Sequence, residues 1–423
     1  MSSTGVTTPA ITLWLSPAQE SLGRAIIDAL RARAWRGALR VGSAQAGGAM
    51  ALATRLGADS AGDDLRAALA GAGAMAGAGN AAASGEACVF FLGSPGPFAS
   101  LPDAAQRLAD VDLIESARKR GVCVTSLEPL PGSLIQLMEI SGETSAPPGY
   151  SSSAGVIASA GSEPRGATGR GGGGRGGLAD ADRLPLWVVQ SPLSRWSASV
   201  RAARDVAEQL GPVRSMSIET IGPAWAGSLG ARVFDAMDLA MLFLGEPESI
   251  DAAFDAPSEG GLRPTSGDTL RDLRGDLTAN LRFGGGRSAA VYASSEAGLP
   301  RVRATLIAFK GRVTVGSGGF EWINADGTVV ESPGAGAVGG VGAGGVAAGG
   351  RDGPAGIDAL AQFASPIADQ LLRLDSAGAE HDMRCGASAG NAATTLAMAQ
   401  AALLSCRTGE AESPATMLKM AGG

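Results

Sequence analysis

Along the first third of the chain, short apolar runs alternate with longer stretches whose apolar residues recur at helical spacing. ITLWL (11–15) reads as a strand, and a turn leads into an amphipathic helix over 21–34 with Ile26, Ile27 and Leu30 on its apolar face. LRVGS (39–43) reads as a second strand, and 48–56 as a helix that Gly57 terminates. Asp63, Asp64 and Leu65 open a further helix. After an Ala/Gly segment at 70–85 come CVFFLG (88–93), a helix over 108–120, and VCVTSL (122–127). Strands spaced by helices predict parallel pairing with right-handed crossovers, a doubly wound sheet.

Beyond residue 182 the pattern changes. PLWVVQ (185–190) reads as a strand and 198–210 as a helix closed by Gly211 and Pro212. Strict alternation at 213–222 predicts a half-buried strand, and 233–244 a strongly apolar helix that carries Asp235 and Asp238. Strand-like segments follow at 276–283, 288–294, 301–309, 312–315 and 320–323, with turn residues at 284–286, 310–311 and 326–327. A closing helix is expected over 391–406. This half reads as an α+β domain on a largely antiparallel open sheet. Segments 141–182 and 334–356 are rich in Gly, Ser and Ala and cannot bury a core, so they read as a linker and an insertion. The division is therefore 1–140, a domain on the doubly wound sheet; 141–182, a linker; and 183–423, the second domain.

Composition narrows the function. The chain has 423 residues and a net charge of −7 with both signs interspersed, which argues against a nucleic-acid partner. The basic Gly-rich run at 165–175 has no interleaved aromatics. No run reaches the ~20 apolar residues of a membrane helix and the N-terminus lacks a signal pattern, so no membrane partner and a cytoplasmic location are expected. Cys88, Cys123, Cys385 and Cys406 lie far apart, and no metal site is expected. There is one histidine, His381, and only three lysines, Lys119, Lys310 and Lys419. Arginine stays protonated, so candidate proton acceptors are few.

Four strings, in order, resemble the glucose–fructose oxidoreductase / inositol dehydrogenase / rhizopine-catabolism family (Gfo/Idh/MocA). DAMDLAMLFLGEPESI (235–250) is similar to the family helix H-x-x-D-L-L-x-x-L-L-G-E-P-x-x-V. LTANLRFGGGRSAAVYAS (277–294) resembles its strand–turn–strand, RATLIAFKGRVTV (303–315) its G-T-K-G hairpin, and AMAQAALLSCRTGEAESP (397–414) its closing helix and tail. The resemblance implies a Rossmann-like domain, on the doubly wound parallel sheet of 1–140, followed by an open-sheet domain, NAD or NADP if any cofactor is held, a sugar or polyol ligand, and self-association through the second sheet.

The same alignment implies that much of the chemistry is altered. Where the family has G-x-G-x-x-G, this chain reads Ala18-Gln19-Glu20-Ser21-Leu22-Gly23 and keeps Gly23 alone. Glu20 puts a carboxylate beside the expected phosphates, or serves as a favourable charge on the helix N-terminus. The acidic ribose ligand is absent, and Ser43, at the end of the second strand, with Gln45 after it, offers hydrogen bonds in its place. Ser94 and Pro95 match the turn near the nicotinamide, and also make an ordinary loop. At the E-K-P motif the chain reads Leu127-Glu128-Pro129, so Glu128 replaces the lysine beside Pro129. The family histidine falls on Asp235. Asp235 and Asp238 share a helix face at i, i+3 and form a candidate acid/base pair, or hydrogen-bond locally as structural charges. Three functions are expected in order: a degenerate, non-catalytic homologue with no cofactor or altered ligand binding; an active oxidoreductase using Glu128, Asp235 and Asp238; and an assembly subunit.

Overall fold

A computed structural model describes residues 10–69 (except 44, 46 and 66), 88–93, 123–141, 188–190, 193–255, 269–331 (except 272, 317 and 318), 355–373 and 389–422. The first sheet is built from β1 (Ala10–Trp14), β2 (Leu39–Gly42), β3 (Ser60–Gly62), β4 (Cys88–Leu92), β5 (Cys123–Ser126) and β6 (Val188–Gln190). Every pairing is parallel and the order is β3-β2-β1-β4-β5-β6. The order reverses between β1 and β4, which makes their carboxyl ends the switch point at which such sheets bind ligands. Helices α1 (Glu20–Ala32), α2 (Gly48–Leu56) and α3 (Leu134–Ser141) connect or follow these strands. Ile11, Leu13 and Leu15 meet Leu22, Ile26, Ile27 and Leu30 of α1 in a core sealed from water.

The second unit opens with α4 (Ala198–Leu210), β7 (Val213–Pro223) and α5 (Leu229–Leu244). It continues with β8 (Ser249–Asp255), β9 (Asp276–Phe283), β10 (Arg287–Ser294), β11 (Glu296–Ala308), β12 (Gly311–Gly316), β13 (Gly319–Asn324) and β14 (Val329–Glu331). These eight strands form a sheet in the order β14-β13-β12-β11-β7-β10-β9-β8. β7 and β10 pair in parallel, and the other pairings are antiparallel. Alternation does the work: in β9, Leu277, Ala279, Leu281 and Phe283 point inward while Thr278, Asn280 and Arg282 face out. The inward face packs on α5 and on α7 (Ala389–Thr408), and α8 (Pro414–Gly422) closes the described chain.

Two segments after residue 182 join the first unit. β6 extends it beyond β5. Helix α6 (Ala355–Arg373), which no part of the sequence pattern predicted, lays Ala364, Ile367, Ala368 and Leu371 against the α1 side of the first core. Arg33 at the end of α1 ties the two helices, with Nε 2.6 Å from Asp369 Oδ1 and Nη2 donating to Ser365 Oγ at 2.6 Å. The expected helix over 108–120, His381 and nearly all of the two Gly-rich tracts lie outside the described residues. No helix among the described residues is long and apolar enough to cross a membrane.

Candidate functional site

The carboxyl ends of β1 and β4 are bridged by a side chain of the protein itself. After Leu15 the chain makes a short 3-10 turn, Pro17–Gln19, in place of a glycine loop. Gln19 is buried, and its Nε2 donates both to the carbonyl of Gly93, just past β4, at 2.6 Å and to that of Trp225 in the second unit at 2.8 Å. Its Oε1 accepts from the backbone N–H of Ser16 at 2.9 Å. A dinucleotide in a doubly wound sheet lays its pyrophosphate across this crevice, against the N-terminus of the first helix. Here the Gln19 amide spans that crevice.

The neighbouring Glu20, at the start of α1, turns aside. Its carboxylate lies 2.7 Å from Arg55 Nε on α2 and 3.6 Å from Arg24 on its own helix. Gly23 serves packing, since a Cβ there would stand 2.6 Å from Leu15 Cδ1 and push α1 off β1. Ser43 is fully buried at the end of β2, where its hydroxyl accepts from Gln45 N–H at 3.4 Å. Ser94 and Pro95 lie outside the described residues.

The three candidate carboxylates do converge, on α5. Ser228 caps this helix by accepting the N–H of Ala231. Glu128, which leaves β5 of the first sheet, reaches the same cap: Ser228 N–H donates to its Oε1 at 2.8 Å and Ser228 Oγ–H to its Oε2. Glu128 therefore ties the two units through charge-assisted hydrogen bonds at a helix N-terminus. Pro129 is buried beside it.

Further along α5, Asp235 and Asp238 are gripped by consecutive residues of the 3-10 turn Ser194–Trp196. The N–H of Ser194 donates to Asp235 Oδ1 at 2.7 Å and its hydroxyl to Oδ2 at 2.6 Å. Arg195 Nε donates to Asp238 Oδ2 in an ion pair closed to water on both sides. Burial pushes the Asp235 carboxyl up to about 7, with the two Ser194 hydrogen bonds and Arg232 opposing and Asp238 adding to the rise. Burial likewise raises Asp238 to about 6 against the pull of Arg195. Each carboxylate already has protein donors on one or both oxygens.

One turn before Asp235 stands Arg232, buried on the same helix, with its guanidinium pulled down to about 10 by burial while Glu128 and Asp235 hold it up. Gln19, Ser194, Arg195, Ser228 and Arg232 were not among the sequence candidates. The signals available were Ser228 ahead of an apolar run, a capping residue, and the arginine within that run. Among the described residues no cluster of His, Cys, Asp and Glu is arranged to hold a metal ion.

No family model matches the chain, and no curated protein matches it. Solved structures do share its fold. An oxidoreductase from Agrobacterium radiobacter, in complex with NAD+, L-tartaric acid and magnesium, matches with a TM-score of 0.57 at 12% identity, covering 97% of this chain and 100% of that one. Levoglucosan dehydrogenase, in complex with NADH and levoglucosan, gives 0.56 at 12% identity over 96% and 98% of the two chains. Apo scyllo-inositol dehydrogenase from Lactobacillus casei gives 0.54 at 13%, over 97% and 99%. The two-unit fold expected from the sequence resemblance is thus the fold found, at identities that speak for architecture alone.

Proposed function

We propose that the chain is a divergent member of the Gfo/Idh/MocA group that binds a small sugar- or polyol-like ligand between its two units without nicotinamide hydride transfer. The observation that carries this reading is Gln19, whose amide bonds to Gly93 and Trp225 across the β1–β4 switch point. A pyrophosphate seated there would have to break both hydrogen bonds. The commitment of Glu128 to the cap of α5 supports the same reading, because an exchanging acid or base must be reachable by substrate. The ligand class follows the solved structures of this fold, which hold levoglucosan, L-sorbose and L-tartaric acid.

Thermal unfolding with NADH and NADPH tests the reading. A ligand at 100 times its dissociation constant adds about 2.7 kcal/mol of stability. The expected result is no change in midpoint with millimolar nucleotide, and a clear rise with either one overturns the proposal. One observation favours the alternative of an active oxidoreductase: Asp235 sits near 7, where a general base is most effective. On that reading the purified protein reduces NAD+ or NADP+ with a polyol, and Asp235→Asn abolishes the rate.

Self-association through the second sheet is part of the proposal. Its open face carries Tyr292 and Ile307, both more than two-fifths exposed, among Thr278, Asn280 and Ser288. Light scattering at micromolar protein is expected to read a dimer or larger, and a monomer removes this part.

A further inference from the structure

We infer that Arg232 anchors an anion-binding site at the junction of the two units, taking a small ligand that bears a carboxylate or a phosphate. The inference deepens the ligand-binding reading above and is independent of whether a nucleotide binds.

The argument begins with where the guanidinium lies. Arg232 is 6% exposed, in the first turn of α5, and its head rests on the backbone of Gly222 near the end of β7. A Cβ at 222 would stand 2.4 Å from Nη2 and 2.7 Å from Cζ, so any side chain there would displace the guanidinium. Its hydrogen bonds all run from one nitrogen: Nη2 donates to the carbonyls of Pro223 at 3.2 Å and Ala226 at 3.4 Å. Nε–H is buried with no partner.

The neighbouring carboxylates do not close the account. Glu128 and Asp235 are near enough for their charges to raise the Arg232 pKa, yet neither forms an ion pair with it. Glu128 is directed onto Ser228, and both oxygens of Asp235 onto Ser194. Two residues serve as contrast on the same helix face: Asp238 has Arg195 against it, and Asp235 has Ser194. A buried guanidinium with idle donors carries an unmet desolvation cost that a neutral side chain would avoid. An oxyanion brings both the charge and the in-plane acceptors that a guanidinium matches.

Thermal unfolding of the full chain decides the matter, with sodium D-gluconate, sodium phosphate and neutral D-glucose as probes at equal ionic strength. Gluconate or phosphate is expected to raise the wild-type midpoint while D-glucose leaves it unchanged, and the stronger of the two identifies the source of the anion. Arg232→Met keeps the length and apolar stem, and is expected to lose the anion response while unfolding no earlier than wild type. Arg232→Lys keeps the charge without the planar fork, and is expected to need about tenfold more anion for the same response. A wild type that responds to neither anion overturns the inference. So does an undiminished response in Arg232→Lys, or in Arg232→Met, and the Lys variant settles the question should the Met variant fail to fold.

Discussion

Arg195→Met is expected to lower the unfolding free energy by about 3–5 kcal/mol at pH 8, the loss that follows when one member of a buried ion pair is removed. Arg195 and Asp238 are each about one-twentieth exposed at the side chain, and Asp238 projects from the interior of α5, among residues that are almost all buried. Without the guanidinium, Asp238 must either stay charged in an apolar surround or take up a proton. The folded carboxyl is already raised to about 6 by burial with Arg195 opposing, so removing Arg195 raises it further. The deficit should therefore shrink at pH 5, where protonation relieves it. Adding Asp238→Asn to Arg195→Met should recover most of the loss, because the uncompensated charge is then gone. Urea denaturation of the two variants at both pH values makes the check. A loss below about 1 kcal/mol in the single variant at pH 8 would show that the pair is not the anchor described.

Much of this architecture was legible in the sequence, because it rests on local periodicity. The helix expected over 198–210 and the strand over 276–283 are found with those bounds. Helix α5 begins four residues before the expected start, at Leu229, since Gly230 and Arg232 interrupt its apolar run. Several elements escaped, β3, α3, β14 and α8 among them, and two show why. β8 has one fully buried position, Ile250, among half-exposed and exposed ones. α6 carries Pro366 in its interior and emerges from a Gly-rich tract, so neither propensity nor a cap announced it.

The site was legible only where it is local. That Asp235 and Asp238 share a face follows from their spacing, and the turn that grips both confirms the geometry. Their partners, 41 and 43 residues away, have no signature in the sequence. At the turn after β1 the side chain that enters the crevice is one the sequence pattern does not mark. The Glu20 carboxylate turns to the opposite charge of Arg55, and the uncharged Gln19 takes the crevice with a partner 206 residues distant.

Stability of the wild-type chain is expected to fall as the pH rises from about 4 to about 8, with Asp235 as a main contributor. Its carboxyl sits near 7 in the folded chain against a reference value of 3.8, so between those values the folded state holds a proton that the unfolded state has released. Raising the pH removes that proton and weakens folding, the reverse of the usual behaviour of a salt-bridged carboxylate. Asp238, raised to about 6, adds a slope of the same sign over a narrower window. A shift of this size corresponds to a stability difference on the order of 4 kcal/mol for Asp235. Asp235→Asn should cancel most of it, since the amide oxygen can still accept Ser194 N–H and the amide nitrogen can donate to Ser194 Oγ, with no charge to desolvate. The variant is expected to be more stable than wild type at pH 8 and about equal at pH 4, read from urea midpoints across the range. A variant less stable at pH 8 would mean that the ionised carboxylate, held by its two hydrogen bonds and by the field of Arg232, contributes more to folding than its burial costs.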